Sequence, residues 1–180
     1  MKKTIIIYRS RYGYTKRYAQ WIAEELHCPV KNVKQIKPAI LADFDTIIFG
    51  GGLYAGGVGG ISLLTKNARL LQSKNIILFT CGLADPTDPT NVSSIRTSLS
   101  RVLPPEMQKN MTIFHLRGGI DYFRLSLVHK AMMAMMHRML LRKETLRAED
   151  REFLKTYGRK VDFTDHSTIS AVADAARRFA

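Results

Sequence analysis

The chain has 180 residues, of which 46% are hydrophobic and 24% are charged. This length and composition are typical of a single globular domain with its own core. The charge is one-sided, because 28 lysines and arginines face 15 aspartates and glutamates and give a net charge of +13. Such an excess favours anionic partners, whether phosphorylated ligands, acidic lipid headgroups or nucleic acid, and does not choose among them.

Nothing in the sequence predicts export or a membrane span. The apolar run behind the first two lysines is too short for a signal peptide, and the two cysteines do not form a CxxC pair. The best apolar stretch is interrupted by Lys130, His137 and Arg138, so a transmembrane helix is not expected. We expect a cytoplasmic protein without disulfides, in peripheral contact at most with the cytoplasmic face of a membrane.

Strands and helices alternate along the first part of the chain. The β-branched run over 3–8 predicts a strand buried on both faces. Helical spacing then runs from Thr15 to about His27, followed by a short strand over 29–36. A second buried strand is predicted over 45–51, and the glycines after it lead into a helix over about 60–73.

The alternation continues to the C-terminus with one long interruption. Strands are predicted over 75–80 and 110–119, with a helix over about 91–103 between them. The last helix begins near Ser170, with Thr164, Asp165 or Ser167 as its N-cap. Almost fifty residues separate the fifth strand from this helix, which is far longer than a normal connection.

This order of elements predicts an α/β fold with a doubly wound, five-stranded parallel sheet and helices on both faces. We expect one domain over 1–180 that carries a helical insertion over about 118–158. In such sheets ligands bind at the carboxyl ends of the strands, near the point where the strand order reverses. The loops after the first, third and fourth strands are therefore the candidate site.

The first of these loops, "RSRYGYTK" (9–16), lies between a buried strand and a helix. Ser10 and Thr15 supply hydroxyl groups, Gly13 frees the backbone, and Thr15 opens the helix. Backbone N–H groups at a helix N-terminus together with hydroxyls form a phosphate cradle, to which Arg11 adds charge. The loop matches neither G-x-x-x-x-G-K-[ST] nor G-x-G-x-x-G, which disfavours ATP and NAD. A plain turn with a threonine cap is the alternative.

The other two loops have the composition of a site for a flat ligand. Seven of the twelve glycines fall within residues 50–60, and Tyr54 among them could stack on a ring. A mobile loop with a surface tyrosine is the alternative. In the loop over 80–89, Gly82 and the neighbouring amides could bond a ring edge, and Cys81 is expected to be a small buried residue and not a redox centre.

These three loops in this order resemble those of the flavodoxin family, in which the first holds the phosphate of FMN and the other two flank the isoalloxazine. The resemblance rests on three motifs: Ser-x-x-Gly-x-Thr at a helix start, a Gly/Tyr loop after the third strand and a Cys-Gly loop after the fourth. The resemblance implies an FMN site made of Ser10, Arg11, Tyr12, Gly13, Tyr14, Thr15, Gly51, Gly52, Leu53, Tyr54, Ala55, Gly56, Cys81, Gly82, Leu83, Ala84 and Asp85. Tyr12 departs from the family pattern, in which a threonine is usual.

A narrower resemblance concerns the insertion. "SRYGYT" (10–15), "LRGGIDY" (116–122) and a long basic insertion before "VDFTD" (161–165) are similar to the flavodoxin-like, menaquinone-dependent protoporphyrinogen IX dehydrogenases. This likeness implies an FMN enzyme that oxidises protoporphyrinogen IX and passes the electrons to a quinone at the membrane face. The flavin then carries the chemistry, and no catalytic side chain is expected.

Two other functions are weighed against this enzyme. A soluble FMN electron carrier fits the same loops, but carriers of the family are typically acidic. A nucleic-acid-binding module is supported mainly by charge, and no RNP-like strand or recognition helix is present, so nucleic acid is not expected as a partner. A metal is not expected either, because His129 and His137 are eight residues apart without an acidic neighbour on the intervening turn.

Five methionines lie in "HKAMMAMMHRMLLRK" (129–143), inside the insertion. We predict an amphipathic helix that lies on a surface; a helix packed permanently in the core is the alternative. A methionine face between basic residues suits acyl chains and anionic headgroups, so 121–147 is the predicted membrane contact. Lys130, His137 and Arg138 are placed on the polar side. The helical wheel assigns one broad apolar face to Leu125, Val128, Met132, Met135, Met136 and Met139.

Overall fold

The computed structural model describes residues 3–54 and 57–179. The strands of its main sheet are β1 (Thr4–Arg9), β2 (Val30–Asn32), β3 (Thr46–Tyr54), β4 (Gly57–Val58), β5 (Asn75–Gly82) and β6 (Met111–Arg117). Five of them are parallel, in the order β2-β1-β3-β5-β6, and β4 pairs antiparallel with the end of β3. The predicted doubly wound, five-stranded α/β fold is confirmed.

The central strands are buried on both faces, as their uninterrupted apolar runs predict. Ile5, Ile47 and Ile76 lie side by side on β1, β3 and β5, and their neighbours Ile6 and Ile48 point to the opposite face. All of them are almost completely removed from water. Burial of a side chain of this size contributes about 1.5–3 kcal/mol, so this sheet is the stable part of the molecule.

Helices cover both faces of the sheet. The first and last helices, α1 and α8, pack on one face through Tyr18, Ile22 and Val172. Leu64 and Leu99, from α2 and α4, pack on the other face. The helices of this part of the chain are α1 (Tyr14–Leu26), α2 (Ser62–Lys66), α3 (Ala68–Leu71), α4 (Pro89–Ser100), α5 (Pro105–Lys109) and α8 (Ser170–Arg177).

Some predicted boundaries are wrong because side chains compete with the backbone for hydrogen bonds. The helix predicted over 60–73 is two short helices, since the Asn67 amide donates to the Leu63 carbonyl oxygen at 2.7 Å where the helix breaks. The strand predicted over 29–36 ends at Asn32, whose side chain accepts from the Lys34 N–H in a capping box with Gln35.

Two helix starts are settled by aspartates. The helix predicted from about residue 91 begins at Pro89, because Asp88 accepts a hydrogen bond from the Thr90 N–H. Among the three candidate caps near the C-terminus, Asp165 is the one used. It accepts from the Ser167 N–H and starts a 3-10 turn over His166–Ile169 that runs into α8.

The insertion is a separate layer attached to the carboxyl end of the sheet. Its first and last strands, β7 (Gly119–Asp121) and β8 (Lys160–Asp162), pair antiparallel and enclose helices α6 (Leu127–Leu141) and α7 (Ala148–Thr156). No residue of α6 is buried. Among the described residues, no helix is long and apolar enough to cross a membrane.

The predicted apolar face of α6 is divided between the cavity side and solvent. Met132 and Met136 line a cavity, as does Leu125 just before the helix, and Met136 is also partly exposed. Val128, Met135 and Met139 are exposed. On the predicted polar side, His137 stacks on the Tyr157 ring with centroids 3.9 Å apart.

Candidate functional site

A cavity of about 250 Å³ lies where the carboxyl ends of β1, β3 and β5 meet the insertion. The strand order reverses between β1 and β3, so the cavity lies at the switch point expected of a doubly wound sheet. Its size is close to the lower limit of about 300 Å³ typical of small-molecule pockets. Most of its walls are apolar, and they come from both the sheet loops and the insertion.

The loop after β1 has the geometry of an anion site. Gly13 is the N-cap of α1 with φ 102°, which corrects the prediction that Thr15 opens the helix. A left-handed backbone of this kind favours glycine. The Gly13 N–H donates to Ser10 Oγ at 3.0 Å, which orders the loop. The first N–H groups of α1 have no acceptor within the helix, and its first turn holds no acidic residue.

Three aromatic rings from three segments meet beside this loop. Tyr54, at the end of β3, stacks on His129 of α6 with centroids 5.8 Å apart and an interplanar angle of 22°. Tyr12 lies edge-on to both rings. The Arg11 N–H donates to the Tyr54 hydroxyl at 3.0 Å. We call Tyr12, Tyr54 and His129 the aromatic cluster; all three line the cavity.

The glycines at the end of β3 are required by the packing of the protein itself. A Cβ on Gly50 would lie 2.2 Å from the Phe79 ring, and one on Gly51 would lie 2.2 Å from Val58. A Cβ on Gly52 would meet the Tyr54 hydroxyl at 2.5 Å. These residues belong to β3 and not to a loop, so their glycines serve close chain packing and the placement of Tyr54.

The loop after β5 forms the floor of the cavity. Cys81 is buried, and burial raises the pKa of its thiol to about 12 while a hydrogen bond with the Thr15 side chain opposes the shift. The thiol is therefore protonated at neutral pH and is a poor nucleophile. Gly118 permits the insertion to approach, because a Cβ there would lie 2.8 Å from the Cys81 sulfur.

One arginine ties this floor to the insertion. Arg117 Nη1 lies 3.1 Å from the Asp85 carboxylate, and Arg117 Nη2 lies 2.7 Å from the Glu152 carboxylate of α7. Its guanidinium also lies 3.9 Å from the Phe163 ring centroid. Hydrogen bonds from Thr87 and the nearby Arg117 charge outweigh desolvation and lower the pKa of Asp85. Arg117 is thus committed to protein partners, which leaves Glu149 as the less strongly paired carboxylate on this wall.

Glu149 lies on the cavity side of α7. Burial raises the pKa of its carboxyl, with a smaller opposing effect from the Arg147 guanidinium 3.6 Å away. Around it the wall is apolar, formed by Met132, Met133 and Phe153. A carboxyl in such surroundings can accept hydrogen bonds from ligand N–H or O–H groups.

The structure brings most of the predicted site residues together. Ser10, Arg11, Gly13, Gly51, Gly52 and Asp85 support the walls without lining the cavity. The predicted residues Ala55 and Gly56 lie outside the described part of the chain. Those that line the cavity are Tyr12, Tyr14, Thr15, Leu53, Tyr54, Cys81, Gly82, Leu83 and Ala84.

The insertion wall was missed by the sequence analysis. His129, Glu149, Glu152 and Phe163 have no spacing that marks them, because they come from different elements. Only "LRGGIDY" gave a signal. A Cβ on Gly119 would meet the Val161 carbonyl oxygen at 2.4 Å and the Tyr14 ring at 2.8 Å, so its glycine lets the hairpin reach the site.

Comparison with known proteins agrees with this geometry. A family model described as "Flavodoxin domain" matches residues 5–147. The chain belongs to the flavodoxin family. Over 55 residues it is also 36% identical to an uncharacterized protein of Methanocaldococcus jannaschii, a match that covers 30% of this chain and 37% of that protein.

Solved flavodoxins and flavoproteins are similar in chain fold at low identity. Oxidised flavodoxin 1 of Bacillus cereus is 16% identical with a TM-score of 0.43, over 64% of this chain and 84% of that one. A Lactobacillus acidophilus flavoprotein in complex with FMN is 14% identical with a TM-score of 0.44, over 65% and 93%. Reduced Megasphaera elsdenii flavodoxin is 14% identical with a TM-score of 0.47, over 63% and 84%.

Membership of the flavodoxin family confirms FMN as the cofactor, and the residues present fit it. The glycine-capped start of α1 offers N–H groups to a phosphate, and the first turn of this helix holds no acidic residue. Leu53, Tyr54, Gly82 and Leu83 line the mostly apolar cavity at the carboxyl ends of β3 and β5. Apolar walls with backbone groups at their edge suit a flat ring.

Proposed function

We propose that this flavodoxin-family protein is an FMN-dependent oxidoreductase that oxidises protoporphyrinogen IX and passes the electrons to a quinone at the cytoplasmic face of a membrane. The observation that carries the proposal is the cavity between the flavin loops and the insertion. When bound, FMN supplies the two-electron chemistry. The chain itself supplies a mostly apolar cavity whose walls come from both the sheet loops and the insertion.

The insertion favours an enzyme over a simple electron carrier. A carrier passes electrons through an accessible flavin edge to changing partners. Here α6 and α7 stand over Leu83 and Ala84, and Met132, Met133 and Met136 complete a wall that suits a large apolar substrate. Methionine side chains adapt to irregular shapes, so this wall can accommodate a macrocycle.

The outer side of the same insertion supports a membrane location. Phe123 is 79% exposed and Leu127 is 84% exposed, and Val128, Met135 and Met139 continue this apolar surface along α6. Residues 121–147 contain six lysines and arginines against two acidic residues. Apolar side chains beside basic ones match the acyl chains and anionic headgroups of a bilayer surface.

The decisive experiment follows the flavin spectrum under anaerobic conditions. Protoporphyrinogen IX should bleach the oxidised FMN band, and a menaquinone analogue should restore it over repeated turnovers. Replacement of residues 121–147 by a short Gly/Ser loop should abolish quinone reduction while the protein still binds FMN. Bleaching by soluble electron donors alone, with porphyrinogen inert, would instead identify an electron carrier.

Membrane contact is tested separately with vesicles. The protein should sediment with anionic liposomes at low salt and be released at high salt, because each basic residue at such a surface adds about 1 kcal/mol that salt weakens. The triple variant Val128→Ser, Met135→Ser, Met139→Ser should lose most of this binding. Val102→Ser, an exposed apolar residue outside the insertion, is the control and should bind like the unmodified protein. Equal binding by the triple variant would refute the membrane contact.

A further inference from the structure

The loop after β1 (residues 10–13), which we call the phosphate loop, makes a direct contact with the start of α6. The family pattern does not explain this contact. The Tyr12 hydroxyl lies 2.6 Å from His129 Nδ1. The Ser126 N–H points to the same phenol oxygen at 3.4 Å, and Ser126 Oγ caps α6 by accepting from the His129 N–H. Tyr12 is therefore built into the N-terminal cap of the insertion helix.

The Tyr12 hydroxyl and His129 Nδ1 share one short hydrogen bond, and the imidazole tautomer decides which of them donates. The phenol oxygen has two lone pairs, so it can accept from the Ser126 N–H with either tautomer. Burial and the nearby Arg11 charge lower the pKa of His129, which favours the uncharged ring.

A ring stack and a hydrogen bond also connect α6 and the phosphate loop to the end of β3. His129 lies on the Tyr54 ring, and the Tyr54 hydroxyl accepts from the Arg11 N–H of the phosphate loop. The aromatic cluster thus joins the phosphate loop, the end of β3 and α6 into one contact network. Two residues of the phosphate loop, Arg11 and Tyr12, take part in it.

The start of α6 has one polar connection to the loop after β1 and an apolar side on the cavity. No residue of this helix is buried, and Leu127 and Val128 in its first turn are exposed. Met132 and Met133 line the cavity, and the second half of the helix contacts the insertion itself through His137 and Tyr157. Loss of the bonds of Tyr12 would therefore remove the hydrogen-bonded connection between this loop and the start of α6.

We propose that Tyr12 and His129 are positioning residues that couple the binding of the FMN phosphate to the docking of α6 over the cavity. A ligand that orders the phosphate loop orders Tyr12, and through it the helix that forms the substrate wall. Coupling of this kind is reciprocal, so docking of α6 also strengthens FMN binding. The inference goes beyond the proposed function, because it requires the family's FMN site but no particular substrate.

The test combines ligand affinity with amide hydrogen exchange on the full-length protein. Tyr12→Phe removes one hydroxyl, and His129→Phe keeps an aromatic ring but removes Nδ1. The third variant combines the two substitutions. Loss of one neutral hydrogen bond corresponds to about a three- to tenfold weaker affinity. Each single variant should weaken FMN binding by this factor and riboflavin binding by less. The double variant should bind FMN no more weakly than the single variant with the lower FMN affinity.

Exchange measurements follow the helix itself. FMN should slow amide exchange over 127–141 in the unmodified protein, and this effect should largely disappear in Tyr12→Phe. Tyr122→Phe is the matched control, since it removes a buried hydroxyl of the insertion that has no hydrogen-bond partner among the described residues. It should retain both the FMN affinity and the FMN-dependent exchange.

Three results would overturn the coupling: FMN leaves exchange over 127–141 unchanged in the unmodified protein, the variants weaken FMN and riboflavin equally, or the two substitutions act additively. Neither measurement uses porphyrinogen or quinone. A protein that fails to oxidise porphyrinogen can therefore still show the coupling, and an active enzyme can lack it, so the two proposals fail separately.

Discussion

The sheet and the insertion are built on opposite principles. In the sheet, strands such as β5 are buried on both faces, and residues like Leu78 have no exposure at all. In the insertion, α6 has fifteen residues and none is buried. The sheet has two hydrophobic clusters, one on each face. The insertion buries a few side chains such as Leu125 and Phe153, and it also contacts the rest of the chain through Arg117–Glu152 and Tyr54–His129.

This difference separates a stable layer from a less stable one. A buried apolar core gains free energy in proportion to the area it removes from water, so it fixes the positions of the loops at the ends of β1, β3 and β5. A layer with few buried residues opens at lower free-energy cost. The cavity therefore has one wall on the stable sheet and the other on the less stable insertion.

The largest expected effect compares one leucine from each region. Leu78→Ala removes a fully buried side chain from β5 and should lower the free energy of unfolding by about 2–5 kcal/mol. Leu127→Ala changes a residue of α6 that is 84% exposed and should alter it by less than about 0.5 kcal/mol. Chemical denaturation of both variants measures the contrast. Similar losses would mean that the start of α6 is part of the stable core.

A second prediction locates the phosphate on the core half of the site. Thr15 is buried at the start of α1 and lines the cavity. A hydrogen bond to a charged group contributes about 1.5–3 kcal/mol. Thr15→Ala should therefore weaken FMN binding about tenfold or more and leave riboflavin affinity nearly unchanged. Fluorescence titration measures both ligands. Thr65→Ala, in α2, serves as the control, and equal losses for the two flavins would exclude a phosphate contact of Thr15.

The smallest effect concerns a half-buried histidine of β6. Burial, and secondarily the Arg96 charge, lower the pKa of His115 from 6.5 to about 4. Between pH 6.5 and 4, the histidine is therefore protonated in the unfolded chain and neutral in the folded chain. Its contribution to the free energy of unfolding is fully present above pH 6.5 and is lost as the pH falls towards 4. After allowance for partial solvent screening, the loss should be about 1–2 kcal/mol.

Denaturation curves between pH 7 and pH 4 test this assignment. His115→Gln cannot titrate but can still bond the Thr80 hydroxyl, which lies 2.8 Å from His115 Nδ1. Its stability should therefore depend less on pH in this range. His27→Asn, at an exposed helix end, should keep the original dependence. An unchanged slope in His115→Gln would show that other groups cause the acid sensitivity.

Sequence reasoning succeeded where local pattern and tertiary packing agree. The apolar runs at 3–8, 45–51 and 75–80 became central strands, since only a strand covered on both faces needs such a run. It failed where side chains compete with the backbone, as at Asn67, which divides a predicted helix. At α6 it predicted the apolar face but not its division between the cavity and solvent, because a helical wheel does not show where a neighbouring layer ends.

For the candidate site, the same limit appears residue by residue. Tyr12 was predicted as an FMN-site residue that departs from the family pattern, but its partner His129 lies 117 residues further along the chain. No spacing rule connects the two. Glu149 and Phe153 were invisible for the same reason, since they line the cavity only through the orientation of α7.

The sequence by itself determined the order of elements, the class of sheet and the three loops that meet at the cavity. These features follow from hydrophobic periodicity and from glycine and hydroxyl residues close together in the chain. Only the tertiary structure decided that the glycines of β3 make room for Phe79, Val58 and Tyr54, and that the insertion forms the other wall of the cavity. Such contacts join residues distant in sequence, and their energies depend on distances that exist only once the chain is folded.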